Sequence, residues 1–191
     1  MSVKELEAFL AHKEREEREW EHPDREAVKV EWLGYVRQFY DRVLNEWLSE
    51  LIAAEKVAYE FQSMTLNEEH LGVYQIDTLV LRLADQEVAI EPIGRMVLGV
   101  RGRIDMEGVA GKVTFVLVDR DAKNKGTAIK ANIQNIKDAD LIEHLSADVK
   151  TSEQPLQPEL AWKISPPPPS KHLIDLNEDT FSDALLEVLH G

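Results

Sequence analysis

The longest regular pattern of apolar residues lies between positions 32 and 61, where they recur at steps of three and four. This spacing places them on one face of an α-helix. A second row widens the apolar stripe, so the helix needs a broad surface to pack on. The first row is Trp32, Val36, Phe39, Val43, Trp47, Leu51, Ala54, Ala58 and Phe61, and the second is Leu33, Tyr40, Leu44, Leu48 and Ile52. We predict a long helix over residues 23–64 as the spine of the protein.

The segment before the spine, residues 1–22, is predicted to be a short charged helical arm. Ser2 and Glu5 match a capping box, in which each side chain satisfies a free backbone amide at the start of a helix. The run KEREEREWEH at its end is almost wholly charged, which is typical of a solvated helix. Alternatively, the arm docks on a partner through Phe9 and Trp20.

The predicted spine is long for a domain of this size. A helix over residues 23–64 would span about 60 Å at 1.5 Å per residue. We therefore expect its first turns and the arm to contact another chain, with Phe9, Trp20, Trp32 and Tyr35 as partner-binding residues. That chain is another protein or, through the long helix, a second copy. A helix break at Gly34 is the local alternative.

Beyond the spine, the period of the apolar pattern changes from 3.6 to 2, which indicates strands. Seven strands are predicted, at residues 76–83, 87–93, 97–106, 112–118, 127–136, 162–164 and 172–176. A short helix is predicted at 138–147, a loop at 146–160, and an extended proline segment at 166–169. Asn177 can cap a final amphipathic helix whose apolar face is Phe181, Leu185, Val188 and Leu189.

The strand at 112–118 carries apolar residues on both faces, so we expect it to be covered on both. The spine helix would cover one face and the C-terminal helix the other. The predicted fold is therefore α+β: a charged arm, a long amphipathic helix packed on an antiparallel sheet of six to seven strands within residues 65–191, and a closing C-terminal helix.

Charge and composition exclude several classes of site and disfavour several classes of partner. The 191-residue chain has a net charge of −14 and no cysteine, which excludes disulfides, thiolate metal sites and thiol nucleophiles. Net negative charge disfavours nucleic acid and anionic membranes as partners. No stretch approaches 18 uninterrupted apolar residues, and the start of the chain lacks the features of a signal peptide. We expect a cytoplasmic protein with no membrane contact.

No catalytic or cofactor motif stands out. The glycines match neither phosphate-binding loop pattern, and the six histidines are scattered singly. We therefore predict no catalytic residues, no metal site and no cofactor. The polar set of interest is Arg82, Arg95, Arg101 and Arg103, whose guanidinium groups could bind a carboxylate or phosphate. Alternatively, these arginines pair across strands with Asp77, Glu91 or Asp105.

Three functional hypotheses follow. The first is a non-catalytic interaction protein, an accessory subunit or adaptor that binds another protein. The second is an acidic inhibitor or immunity-type protein that neutralises a basic toxin or nuclease by charge complementarity. The third is a binder of small anions, or an enzyme, that uses the arginine-lined sheet face.

Overall fold

A computed structural model describes residues 24–95, 100–123 and 159–190. It confirms the α+β class, with helices packed on an antiparallel sheet. The predicted arm, the strand at 127–136, the helix at 138–147 and the loop at 146–160 up to residue 158 lie outside the described residues.

The chain begins with three helical segments: α1 (Asp24–Arg42), a π turn (Val43–Trp47) and α2 (Ser49–Ala53). Helix α1 runs through Gly34 without a break. In the π turn, the Leu48 N–H donates to the Val43 carbonyl five residues back, at 2.9 Å. The helical path ends where the Lys56 N–H donates to the Leu51 carbonyl and Glu55 adopts a left-handed φ of 56°. These features form a Schellman-type terminus without the usual glycine.

The predicted helix over 23–64 is wrong from residue 57 onward, because Val57–Glu68 forms strand β1. Helical spacing continues through Ala58 and Phe61, yet Val57, Tyr59 and Phe61 also alternate at the period of a strand. Once Glu55 turns the backbone, pairing with the next strand satisfies the backbone amides of every second residue of this segment.

The sheet has seven strands that pair in chain order, each antiparallel to the next. They are β1 (Val57–Glu68), β2 (Gly72–Leu83), β3 (Gln86–Gly94), β4 (Gly102–Glu107), β5 (Lys112–Asp119), β6 (Leu160–Ser165) and β7 (Ile174–Asp175). Helix α3 (Glu178–His190) follows. Strands β1 and β7 are therefore the two edges of the described sheet.

The β1–β2 hairpin changes, along its length, which of its two faces meets the core. Twelve consecutive residue pairs join its strands without a register shift, from Val57 opposite Leu83 to Glu68 opposite Gly72. Nevertheless, even-numbered Ile76 and odd-numbered Leu79 are both buried in the main core. Because neighbouring residues of a strand point to opposite faces, an uninterrupted hairpin must rotate to bury both.

Both helical units pack on the same face of the sheet, which corrects the expectation of one helix on each face. The Phe115 ring of β5 lies 5.1 Å from the Phe39 ring of α1 and 6.2 Å from the Phe181 ring of α3, between centroids. Trp47 of the π turn lies 5.0 Å from Phe181. The opposite face of β5, with Val116 and Val118, packs in a separate small cluster with loop residues.

The proline run at 166–169 is not the extended segment predicted from sequence. The Ser170 N–H donates to the Pro167 carbonyl at 3.2 Å, which closes a turn. Beside it, the buried Lys163 ammonium lies 2.7 Å from an Asp175 carboxylate oxygen and joins β6 to the short β7.

Truncating Trp47 tests the aromatic packing that joins the helices. We expect Trp47→Ala to lower the free energy of unfolding by about 3–5 kcal/mol, because it removes a buried ring between Phe39 and Phe181. Exposed Leu51 provides the control, and Leu51→Ala should cost less than about 1 kcal/mol. Urea unfolding measures both; a near-neutral Trp47→Ala would contradict the internal role of this face.

Candidate functional site

The predicted partner-binding residues of the spine belong to the interior of the fold. Trp32 is fully buried, with its ring centroid 6.1 Å from that of Trp162. A Cβ atom on Gly102 would lie 2.5 Å from the Trp32 ring, so the glycine allows strand and ring to approach closely. Tyr35 is partly buried, and its carbonyl accepts the Trp162 indole N–H at 3.4 Å. Phe9 and Trp20 lie outside the described residues.

The four arginines predicted as an anion-binding set do not converge on one site. Three hold carboxylates: Arg82 pairs with Glu60 and Glu87, Arg95 with Glu31, and Arg103 with Asp105. The Arg103–Asp105 pair is bidentate, at 2.8 and 2.7 Å, and it joins two residues of the same strand, not neighbouring strands as the sequence-based alternative had it. The Arg101 N–H donates to the Leu117 carbonyl at 2.8 Å. Arg82, Arg95 and Arg103 therefore already have anionic partners within the chain.

A hollow of about 350 Å³ lies on the sheet face away from the helices, lined by Ala89, Glu91, Asp105, Glu107 and Lys112. Buried Asp105 at its base is satisfied by Arg103, the Thr114 hydroxyl at 3.0 Å, and the Lys112 ammonium at 3.6 Å. Asp105 and Glu107 of this hollow thus have cationic partners, Arg103 and Lys112, within the chain.

A polar cluster around the buried Arg95 and Tyr74, which we call the Arg95 clamp, also contains Glu31 and Glu68. The Arg95 guanidinium lies 3.2 Å from a Glu31 carboxylate oxygen of α1 and donates to the Arg101 carbonyl. The Arg95 N–H donates to Glu68 at 2.9 Å, and the Tyr74 hydroxyl donates to the same carboxylate. The clamp therefore ties the far end of the β1–β2 hairpin to α1 and to the end of β3.

Between its two anchored ends, strand β1 is largely exposed up to Ser63, whereas Met64 and Leu66 are partly buried against the core. Val57 is buried at one end and Glu68 is held by the clamp at the other. In between, Tyr59 and Phe61 are 46% and 49% exposed, with ring centroids 6.0 Å apart. Phe61 rests on the buried Tyr40 ring at 5.7 Å. Two large aromatic side chains thus stand side by side at the sheet margin.

We call this margin, Val57–Glu68, the β1 edge. In the described part of the chain no strand lies beyond it. Sheet edges are commonly protected by proline, by lysine, by a bulge or by shortness. The β1 edge contains no proline or lysine, and its pairing with β2 runs over twelve residues without a shift. The opposite edge, β7, has only two residues and is protected by its shortness.

A row of alternating charge crosses the sheet to the β1 edge. Arg82 of β2 lies between two anions, with its guanidinium 2.8 Å from the Glu87 carboxylate of β3 and 2.9 Å from the Glu60 carboxylate of β1. Carboxylate hydrogen bonding raises the pKa of Arg82. The row therefore ends in an anion, Glu60, at the β1 edge.

Comparisons with known proteins assign no relatives, since no family model, curated protein or solved structure matches the chain. Within residues 24–95, 100–123 and 159–190, no three histidine, aspartate or glutamate side chains group so as to hold a metal ion. Among these same residues, no helix is both long enough and apolar enough to cross a bilayer. The exposed Tyr59 and Phe61, on a strand at the margin of the described sheet, make the β1 edge the candidate site.

Tyr74 provides a pH-dependent test of the Arg95 clamp. Burial and the hydrogen bond to Glu68 raise the pKa of Tyr74 above its ordinary value of about 10. A phenol whose folded pKa is raised stabilises the fold below the unfolded pKa, and this stabilisation is lost as the pH rises above it. We expect Tyr74→Phe to lower the free energy of unfolding by about 1.5–3 kcal/mol relative to wild type at pH 7. Above about pH 10, this difference in stability should shrink by about 1.4 kcal/mol per pH unit.

Urea unfolding of wild-type protein and Tyr74→Phe between pH 7 and pH 11 measures this difference directly. Effects of lysine and arginine titration are shared by both proteins and cancel in the comparison. A deficit that stays constant across this range would contradict a buried, protonated Tyr74 in the clamp.

Proposed function

We propose that this chain is a non-catalytic protein-binding module, an accessory subunit or adaptor, whose recognition surface is the β1 edge. The observation that carries the proposal is the pair of exposed aromatics, Tyr59 and Phe61, on a long strand whose outer side is unpaired in the described sheet. Aromatic residues are enriched at binding hot spots because they bury much area with few rotatable bonds. The arginines offer less support for an anion-binding function, since Arg82, Arg95 and Arg103 hold internal carboxylates.

Charge favours a basic partner over a second copy of the chain. Residues 32–71, which include β1 and most of the helical face beside it, carry seven acidic and three basic residues. Two copies meeting at this edge would bring like charges together, whereas a partner with lysines or arginines would be attracted. The acidic inhibitor or immunity-type function is the second candidate. It uses the same complementarity and adds that the bound partner loses its own activity.

Self-association through a long helix, as predicted from the sequence, has no such helix to use in the described chain. That expectation came from a helix longer than its domain, but the helical path ends at Ala53. The apolar face of α1 is covered by its own sheet, with Trp32, Val36 and Phe39 all buried. A heterologous partner at the β1 edge is the simpler proposal.

A displayed library of random peptides, panned against the full chain, tests the proposal. We expect selected peptides to bind wild-type protein and to lose at least about tenfold in affinity for the double variant Tyr59→Thr, Phe61→Thr, in which the aromatic surface is removed while strand propensity is kept. The matched control is Val73→Thr, an exposed apolar residue of β2, which should leave affinity within about twofold.

Thermal unfolding of each variant distinguishes lost binding from lost folding. Selected peptides that bind the double variant as tightly as wild-type protein would contradict the proposed surface. A separate comparison of affinity at low and high salt should show weaker binding at high salt, as expected for a basic partner.

A further inference from the structure

We infer that the partner segment binds as an added β-strand on the β1 edge, and that its residues alternate between apolar and basic side chains. This inference rests on the proposed function and specifies the chemistry of the partner. It follows from three features of the same edge: a backbone with no further strand beside it among the described residues, two aromatics on one face, and the anion that ends the charge row on the other.

The outer side of β1 offers backbone groups for pairing. In an antiparallel or parallel ladder, every second residue of an edge strand directs its N–H and C=O outward, where a new strand can bond to them. Residues of β1 pair continuously with β2 from Val57 to Glu68, so the strand is extended along its whole length. An incoming segment therefore meets a continuous series of donors and acceptors that follows the twist of the strand, as in other cases of strand addition.

Side chains alternate between the two faces of β1 with a period of two. Tyr59 and Phe61 share one face of β1, whereas Glu60 lies on the other. A strand added beside them would place alternate residues next to the aromatic rings and the intervening residues next to the carboxylate. The first set should therefore be apolar, because it covers ring surface that is otherwise exposed to water.

The intervening set should be basic because it continues the charge row. Glu87, Arg82 and Glu60 alternate in sign across β3, β2 and β1. Opposite charges on neighbouring strands attract, and like charges directly opposite repel. A lysine or arginine next to Glu60 extends the alternation, whereas an aspartate or glutamate there opposes it. These groups are solvent-exposed, so they contribute mainly to the choice of partner.

Two synthetic peptides test the inference on the full chain: one alternates valine with lysine, and the other alternates valine with glutamate. Binding is measured by calorimetry, and amide chemical shifts report where each peptide binds. We expect the lysine peptide to bind wild-type protein with shifts along β1 and the glutamate peptide to bind at least about fivefold more weakly.

Charge reversal at the edge should exchange this preference. Glu60→Lys should lower the affinity for the lysine peptide by about five- to tenfold and raise the affinity for the glutamate peptide. The matched control is Glu87→Lys, the same charge change in the same row but two strands from the edge, which should alter either affinity by less than about twofold. If Glu60→Lys and Glu87→Lys lower the affinity for the lysine peptide equally, the inference is overturned.

N-methylated versions of the lysine peptide distinguish strand addition from docking by side chains alone. Methylation of all valine amides and methylation of all lysine amides remove opposite sets of backbone donors. In an added strand only one set faces β1, so one version should lose binding and the other should keep it. Equal binding of both versions would overturn strand addition.

The experiments distinguish failure of the proposed partner chemistry from failure of the proposed function. If the lysine peptide does not bind wild-type protein at millimolar concentration, the alternating apolar and basic partner is wrong. The Tyr59 and Phe61 surface would still stand if library-selected peptides require it. Conversely, library-selected peptides that bind the protein lacking Tyr59 and Phe61 as tightly as wild type would contradict the proposed function itself.

Discussion

The contact on which the structure most depends is the packing of Phe115 between Phe39 and Phe181. Through this one ring, strand β5 meets both α1 and α3 on the same face of the sheet. Trp47 closes the arrangement from the π turn, against the rings of Phe39 and Phe181. Aromatic side chains bury large areas, so a few of them can hold two helices and a sheet together. Because both helices share one face, the other face of the sheet is left to loops and paired charges.

The Arg95 clamp and the aromatic core together determine which part of β1 stays exposed. The core fixes the start of the strand at Val57, and the clamp fixes its end at Glu68. The segment between them lies at the margin of the sheet, where Tyr59 and Phe61 have neighbours on one side and solvent on the other. Rigid ends around an exposed segment favour binding, since the strand is already extended before a partner arrives.

The sequence predicted the α+β class, both central hairpins and the start of α3, because binary patterning and the Asn177 cap are local signals. It missed β1 because helical spacing persists through Ala58 and Phe61 and because no glycine or proline marks the end of the helix. The period of two at Val57, Tyr59 and Phe61 was the available signal. The Arg103–Asp105 pair lies two residues apart in one strand and could be anticipated, whereas Arg95 and Glu31 are brought together by the fold across 64 positions.

Periodicity also does not say which face of a sheet a helix will cover. That choice depends on the sizes of Phe115, Phe39 and Phe181 and on the path of the intervening chain. In this protein both helices pack on the same face. The apolar pattern likewise did not show that Trp32, predicted to contact a partner, would be buried with the rest of the stripe against the protein's own sheet.

Native-state hydrogen exchange of the β1 amides in the full chain tests the central claim, an open β1 edge, most directly. Amides that donate to β2 should exchange slowly, and those between them should exchange fast, so protection should alternate residue by residue across Ala58–Gln62. Uniform slow exchange along these residues would contradict the account, because it would mean that another strand already occupies the edge.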